Sequence, residues 1–135
     1  MRKIKILFIC KWNRFRSKAA EAILDKISDG RFEVRSAGIF LYREPFVPKI
    51  VISLLKEKNY SVRKMNSVKV DDELIEWAVK IVVVADDVPD IFPKEKTIRW
   101  EIKDISDEED FEGTRRTIEK IEKRVREFLG LNFDV

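Results

Sequence analysis

The 135-residue sequence contains no histidine and a single cysteine, Cys10. One cysteine excludes a disulfide within the chain, and the missing histidine removes the commonest zinc ligand, so we expect neither a disulfide framework nor a metal or other cofactor. A chain of this length is expected to bury about two-thirds of its unfolded surface, which makes it stable without cross-links. A single thiol is typical of a reducing compartment, and we therefore expect a cytoplasmic protein.

Long apolar runs and a strong charge bias are also missing. No run approaches the ~20 residues of a membrane-spanning helix, and the first residues do not resemble a signal peptide. Lysine and arginine (28) barely outnumber aspartate and glutamate (25). This small basic excess favours anionic substrates but does not indicate a nucleic acid-binding protein. We expect neither a membrane nor a nucleic acid as partner, and the oligomeric state stays open.

Apolar runs alternate with segments of helical periodicity along the chain, without an internal repeat or a linker. Four strands are predicted, at residues 4–9, 32–36, 80–85 and 97–102. Four helices are predicted. The first follows an N-cap at Ser17, and Glu21 supports its first turn; the others run from Pro48 to about Lys58, from Asp71 or Asp72 to Ala78, and from about Thr114 to Leu129. This alternation predicts a single three-layer α/β domain, with a four-stranded, doubly wound parallel sheet and helices on both faces.

The oxyanion loop, as we call residues 10–17, lies between the first predicted strand and the first predicted helix, with the sequence Cys-Lys-Trp-Asn-Arg-Phe-Arg-Ser. Backbone N–H groups of such a loop converge on one point, and the helix dipole adds positive potential there. This potential favours a thiolate, the nucleophilic form of cysteine. Arg16 adds a planar fork able to grip two oxygens of a tetrahedral anion. The loop therefore predicts a cysteine nucleophile that faces a bound oxyanion.

The position of Cys10 matters, because a lone cysteine is more often a small buried apolar residue. In doubly wound sheets, ligands bind at the carboxyl ends of the strands. Cys10 ends the first predicted strand, and Gly38, Ala85 and Asp104 follow the others. The fold and the oxyanion loop therefore predict a site at the same edge of the sheet.

The loop has the pattern Cys10-x-x-Asn13-x-x-Arg16-Ser17 directly after a strand. In this it resembles the phosphate loop of low-molecular-weight protein tyrosine phosphatases and the related arsenate reductases. Similar segments follow in the family's order: residues 35–38 (Arg-Ser-Ala-Gly), residues 73–85 as a helix and a strand, and residues 100–104 before the last helix. The resemblance implies a low-molecular-weight phosphatase-like domain over residues 1–135. Its expected substrate is a small aryl phosphate or a phosphorylated protein, in particular phosphotyrosine, with inorganic phosphate as product.

The resemblance also implies roles for the residues of the loop. Cys10 would attack phosphorus and form a phosphocysteine, while Arg16 and the backbone amides of residues 11–16 hold the equatorial oxygens. Ser17, also a plain N-cap candidate, would donate a hydrogen bond to the sulfur. Asn13 would adopt a left-handed conformation and be tied to Ser36.

Asp104 is implied as the general acid that protonates the leaving phenolate and then activates water. The family usually has proline after this aspartate, whereas Ile105 follows here. Asp107 and residues 108–110 (Glu-Glu-Asp) are alternatives. An acidic lead-in to the last helix, where negative charge is favourable, is the structural alternative.

Substrate binding is predicted for a set of residues in and beside the loop: Lys11, Trp12, Asn13, Arg14, Phe15, Ser17 and Tyr42. Lys11 and Arg14 add positive charge, and Tyr42 with Trp12 and Phe40 forms a candidate aromatic rim; core packing competes for Phe40. Trp12 replaces the usual glycine, where it would alter the loop backbone or build a wall. Phe15 stands where many relatives have a second cysteine, so no disulfide in the loop protects Cys10 from over-oxidation.

Two other functions stay open. An arsenate reductase of this kind recruits further cysteines on the enzyme, so this chain would need an external thiol. A non-catalytic module that binds phosphate or another oxyanion is the third hypothesis, and Trp12 together with the missing proline after Asp104 favours it.

Overall fold

The computed structural model describes residues 2–107 and 110–132. Four strands lie in these residues: β1 (Ile4–Cys10), β2 (Phe32–Gly38), β3 (Lys80–Val84) and β4 (Thr97–Trp100). The same residues contain four α-helices: α1 (Arg16–Ile27), α2 (Lys49–Glu57), α3 (Asp72–Trp77) and α4 (Phe111–Asn132). A short 3₁₀ turn, Lys94–Lys96, precedes β4.

The strands form one parallel sheet in the order β2-β1-β3-β4. The chain moves outward from β1 to β2 and then crosses back to the other side of β1, so the strand order switches between β1 and β3. This is the predicted doubly wound parallel sheet, which is confirmed. The switch point places the end of β1, and with it Cys10, where a ligand is expected to bind.

β1 runs through the middle of the molecule and is buried on both faces. Its side chains alternate, so Ile6 and Phe8 join the larger core under α1, α2 and α4. Leu7 and Ile9 join a smaller core on the other face, which α3 covers. These apolar contacts fix the position of β1 in the core. Cys10 is both the last residue of β1 and the first residue of the oxyanion loop, so the core also fixes where the loop begins.

Several predicted boundaries are wrong by a few residues. Ser17 is not the N-cap of α1, because Phe15 holds that position and the Ser17 hydroxyl bonds elsewhere. Pro48 precedes α2 with an extended backbone, ψ 148°, instead of opening it. β4 ends at Trp100, two residues early, because the Ile102 N–H turns back to the Trp100 carbonyl at 2.8 Å.

The helix caps explain two further starts. Asp71 caps α3 by accepting a hydrogen bond from Leu74 N at 2.8 Å, as the sequence allowed. α4 begins at Phe111 instead of Thr114, and the Asp110 carboxylate accepts a hydrogen bond from Gly113 N at 2.9 Å. No helix in the described part of the chain is long and apolar enough to cross a lipid bilayer.

Residues 64–70, for which the sequence shows no clear pattern, run across the carboxyl edge of the sheet. Val68 and Val70 exchange backbone hydrogen bonds of 2.8 Å with Gly38 at the end of β2. Met65 and Pro45 likewise accept backbone hydrogen bonds from Val47 and Ser67, each of 2.9 Å. The segment therefore lies beside the oxyanion loop, held by bonds to other loops.

Candidate active site

The oxyanion loop lies directly against the end of β2. At Gly38, an added Cβ would lie 2.8 Å from the backbone carbon of Trp12 and 2.9 Å from the backbone nitrogen of Asn13. Backbone atoms cannot yield to such a contact, so this approach of the loop requires glycine. The Phe40 N–H also donates to the Lys11 carbonyl at 3.0 Å. Gly38 and Phe40 therefore allow and hold the close approach of the loop to the end of β2.

The Cys10 thiol is buried, and its sulfur lies 3.0 Å from the Ser17 hydroxyl oxygen. The Asn13 Nδ2 group donates to the same hydroxyl oxygen at 2.7 Å. Because that oxygen already accepts a bond, the Ser17 proton is free to point at the sulfur. A sulfur that receives such a hydrogen bond is stabilised as a thiolate, both in attack and in departure.

Asn13 is the centre of the support behind the loop. Its φ of 53° lies in the left-handed region, which asparagine tolerates better than other non-glycine residues. Its side-chain oxygen accepts from Val68 N and its main-chain carbonyl from the Ser67 hydroxyl, both at 2.9 Å. Its amide nitrogen also donates to Ser36 Oγ at 3.0 Å. The side chain is fully buried and every one of these bonds is internal.

The hydrogen-bond chain continues from Ser36 to Glu21, whose carboxylate accepts the serine proton at 2.5 Å. Burial raises the pKa of Glu21, and the hydrogen bond from Ser36 and the charge of Lys18 offset that rise only in part. The Glu21 carboxylate therefore orients Ser36 so that its oxygen accepts from Asn13. A continuous chain of hydrogen bonds runs from Glu21 through Ser36, Asn13 and Ser17 to the sulfur.

Arg16 is buried in the floor of the site, 1% exposed. Its Nη1 donates to the Ile102 carbonyl at 2.9 Å, and its Nη2 lies 3.0 Å from Asp87 Oδ1. Asp104 Oδ2 and Asp86 Oδ1 are more distant, at 3.5 and 3.6 Å from the guanidinium. The residues that follow β3 and β4 therefore orient the guanidinium.

Asp104 is half-buried above Arg16. Burial raises the pKa of Asp104, against the opposing effects of the Arg16 charge and of the 3.0 Å hydrogen bond from Ile105 N. The charges of Asp87 and Asp86 raise it further. A carboxyl with a raised pKa keeps its proton to higher pH, which is what a general acid needs.

The alternative acids lie elsewhere or outside the described residues. Asp107 is exposed and does not line the cavity that Cys10 and Asp104 share. Asp110 is exposed at the start of α4, where its carboxylate bonds to Gly113 N. Glu108 and Glu109 lie outside the described residues. Among the described candidates, only Asp104 meets the nucleophile in one cavity.

The cavity over Cys10 has a volume of about 230 Å³. Its lining comes from the loop, from Tyr42, from the start of α2 and from residues 104–106. The Trp12 ring packs edge-on against Tyr42 at 5.3 Å between centroids and lies 5.7 Å from Phe40. The bulky residue that replaces the usual glycine therefore builds an aromatic wall, and Phe40, which is half exposed, belongs to this wall.

The other predicted binding residues divide into two groups. Arg14 and Phe15 line the cavity, and the Arg14 guanidinium lies 4.7 Å from the Tyr42 ring centroid while its Nε donates to the Phe46 carbonyl at 3.1 Å. Lys11 does not line it and places its ammonium 5.1 Å from the Trp12 ring centroid. The side chains of Asn13 and Ser17 lie behind the cavity, in the hydrogen-bond chain. In the described part of the chain, no group of three or more acidic or cysteine side chains is arranged to hold a metal ion.

A family model for the low molecular weight phosphotyrosine protein phosphatases matches residues 5–132. The chain belongs to this family. The resemblance found in the oxyanion loop is therefore confirmed, and the family match includes β2, β3, β4 and all of β1 except Ile4.

The proteins to which this chain is similar are named for more than one activity. The chain is 28% identical over 137 residues to an arsenate reductase of Halalkalibacterium halodurans, covering 95% of this chain and 96% of that protein. An arsenate reductase structure from Archaeoglobus fulgidus matches with a TM-score of 0.80 and 28% identity, over 93% of this chain and 98% of that one. An arginine phosphatase from Geobacillus stearothermophilus matches with a TM-score of 0.78 over 98% and 99%, and its 24% identity shows the fold alone.

Replacing the proposed acid should slow catalysis according to the leaving group. We expect Asp104→Asn to lower kcat by roughly a hundredfold to ten-thousandfold for aryl phosphates with poor leaving groups, and much less for nitrophenyl phosphate. In the wild type, kcat for poor leaving groups should fall as the pH rises through the raised pKa of Asp104, because the acid then loses its proton. The measurement is kcat against pH for a series of phenols of increasing pKa.

The matched control is Asp107→Asn, which removes an exposed carboxylate three residues away. We expect it to leave the leaving-group dependence and the pH profile unchanged. The assignment is wrong if Asp107→Asn steepens the dependence on the leaving group while Asp104→Asn does not.

Sequence reasoning missed the residues that support the site from a distance. Asp86 and Asp87 directly follow the third predicted strand at the carboxyl edge of the sheet, which is a usable signal. For Glu21 the sequence predicts only a supporting role in the first turn of a helix, and Ser67 and Val68 lie in the segment without a pattern. Their contacts with Arg16, Ser36 and Asn13 join distant parts of the chain, so local spacing does not reveal them.

Proposed function

We propose that this member of the family is a cysteine-dependent phosphatase that hydrolyses aryl phosphates, in particular phosphotyrosine in proteins, through a phosphocysteine. One observation carries the proposal. A single cavity is lined by a cysteine sulfur, a buried arginine and a carboxyl whose pKa is raised. Phosphoryl transfer from a monoester needs these three parts: a nucleophile, a charge for the equatorial oxygens and a proton donor.

In the first step, the Cys10 thiolate attacks phosphorus as the bond to the leaving oxygen breaks. Arg16 and the backbone N–H groups of the loop hold the three equatorial oxygens, where negative charge gathers. Asp104 gives its proton to the leaving phenolate, so a neutral phenol departs. The Ser17 hydroxyl holds the sulfur in line for this attack.

In the second step, the Asp104 carboxylate takes a proton from a water molecule whose oxygen attacks phosphorus. The bond between sulfur and phosphorus breaks, and its electron pair returns to Cys10 as a thiolate. The hydrogen bond from Ser17 stabilises this leaving thiolate. Inorganic phosphate and the free enzyme result, with Asp104 protonated again.

The walls of the cavity support an aromatic leaving group. Trp12 and Tyr42 present ring surfaces on which a phenyl ring can stack. The Arg14 guanidinium packed on Tyr42 places a positive charge at the same wall, which suits a phenol better than a cationic guanidinium leaving group. These side chains line the same cavity as Cys10 and Arg16.

Arsenate reduction is the second candidate, supported by the two arsenate reductases at 28% identity. An arsenate bound at Cys10 would use the same loop and the same arginine. However, no second cysteine exists in the chain to reduce the adduct, so an external thiol has to supply the electrons. A phosphatase needs only water at this stage.

One panel of reactions tests the proposal. Para-nitrophenyl phosphate, a phosphotyrosine peptide and phosphoarginine are offered in a buffer with EDTA, and arsenate is offered with glutathione or with thioredoxin. We expect phosphate release from the first two substrates and little from phosphoarginine. Arsenate-dependent thiol consumption without aryl phosphate hydrolysis would favour the reductase, and tight tungstate binding without any turnover would favour a binding module.

A further inference from the structure

Lys18 is a buried cation that the mechanism above does not use. It lies in the first turn of α1, immediately after Ser17, and is 2% exposed. Its ammonium donates to the Lys64 carbonyl at 2.7 Å and to the Asn66 carbonyl at 2.9 Å. A lysine seldom becomes fully buried without such partners, because its ammonium loses its hydration.

The electrostatic surroundings of Lys18 show what compensates for that loss. Burial lowers the pKa of Lys18, and the nearby Lys64 charge acts in the same direction. The charges of Glu21 and of Cys10 act in the opposite direction and favour the ammonium form. The two carbonyl oxygens accept hydrogen bonds from the ammonium. Lys18 therefore links α1, next to the site residue Ser17, to residues 64–66.

The segment that Lys18 holds also clamps Asn13. Directly after the two carbonyls bound by Lys18, Ser67 and Val68 each give a 2.9 Å hydrogen bond to Asn13. The segment belongs to no helix or strand, and Lys64, Met65 and Asn66 are exposed. Its conformation therefore depends on a few bonds to neighbouring loops and on the ammonium of Lys18.

We propose that Lys18 is a positioning residue for the oxyanion loop: it ties residues 64–68 to α1, and this segment in turn holds Asn13 in its left-handed conformation. Through Asn13, the lysine sets the direction of the loop amides and of the Ser17 hydroxyl that faces Cys10. The proposal rests on the proposed function for its kinetic readout, but not for its binding readout.

The test compares Lys18→Met with Lys26→Met, a control at an exposed position of the same helix. Lys18→Met keeps most of the apolar volume and removes the three donors. We expect it to weaken tungstate binding, measured by calorimetry, and to lower kcat/KM for para-nitrophenyl phosphate, each by roughly tenfold to a hundredfold. Lys26→Met should match the wild type in both.

A double-mutant cycle separates positioning from general stability. If Lys18 acts through Asn13, Lys18→Met should add little to the loss caused by Asn13→Ala. Ser67→Ala, which leaves Lys18 intact, should show the same kind of loss in tungstate affinity and keeps the test valid if Lys18→Met does not fold. Additive losses in the cycle, or a Lys18→Met protein with a lower Tm but unchanged tungstate affinity, would overturn the proposal.

Tungstate affinity also keeps this proposal distinct from the proposed function. If the wild type binds tungstate but hydrolyses no aryl phosphate, the phosphatase proposal fails, and the comparison of affinities among the variants still decides the role of Lys18.

Discussion

Cys10→Ser is expected to abolish the hydrolysis of aryl phosphates, with kcat at least about ten-thousandfold below that of the wild type. A serine hydroxyl is scarcely ionised at neutral pH, and its proton would compete with that of Ser17 for the same contact, now 3.0 Å between sulfur and oxygen. The measurement is the release of nitrophenol under saturating substrate, together with trapping of a covalent phosphoenzyme by rapid acid quench.

The control for folding is the affinity of the same variant for tungstate. Because Arg16 and the loop amides carry the anion, Cys10→Ser should keep a Kd within about tenfold of the wild type while turnover disappears. Turnover within an order of magnitude of the wild type, or a phosphoenzyme whose phosphate is attached at a position other than 10, would show that another group attacks phosphorus.

The sheet and the core of the site could be predicted because their signals are local. β1 and β3 are nearly continuous apolar runs, which are typical of strands buried on both faces of a parallel sheet. Cys10, Arg16 and Ser17 lie within the eight residues that join β1 to α1, so they are close in sequence as well as in space. The link between Asn13 and Ser36 is not local, and it could be expected only from the resemblance to the family.

The rest of the site depends on contacts between segments that are distant in sequence. Residues 64–68 make their hydrogen bonds to loops and to side chains, so they follow no helical or strand period. Lysine is usually found on the surface of a protein, but Lys18 is buried. Ser17 looks like an N-cap because a hydroxyl precedes a helix, but Cys10 and Asn13 already engage that hydroxyl.

The acidic residues around Arg16 impose an electrostatic condition on substrate binding. Asp86, Asp87 and Asp104 all lie within 3.6 Å of the guanidinium, so three carboxyl groups face a single cation. A phosphate dianion that enters this site adds further negative charge. Protonation of Asp104 removes one of these negative charges and so relieves part of the repulsion. Burial and the neighbouring carboxylates Asp86 and Asp87 raise the pKa of Asp104, and a carboxyl that keeps its proton also suits the role of proton donor.

Arg16→Lys is therefore expected to lower kcat/KM for aryl phosphates by roughly a thousandfold to a hundred-thousandfold. A lysine keeps the positive charge, but its single ammonium lacks the planar pair of donors that holds two equatorial oxygens at once. It also cannot hold the phosphate and donate to the Ile102 carbonyl together, as the arginine does at 2.9 Å through Nη1. The change should appear in kcat more than in KM, because the lost contacts strengthen as charge develops on the oxygens in the transition state.

Two further variants serve as comparisons for Arg16→Lys. Asp87→Asn keeps the guanidinium and removes one of the groups that orient it, so its loss should be at most about tenfold. Arg115→Lys changes a partly exposed arginine on α4 that pairs with Glu57 and Glu112, and it should not alter the kinetics. If Arg16→Lys keeps a tenth or more of the wild-type kcat, the planar fork of Arg16 is dispensable, and positive charge at the floor of the cavity is enough to carry the phosphoryl group.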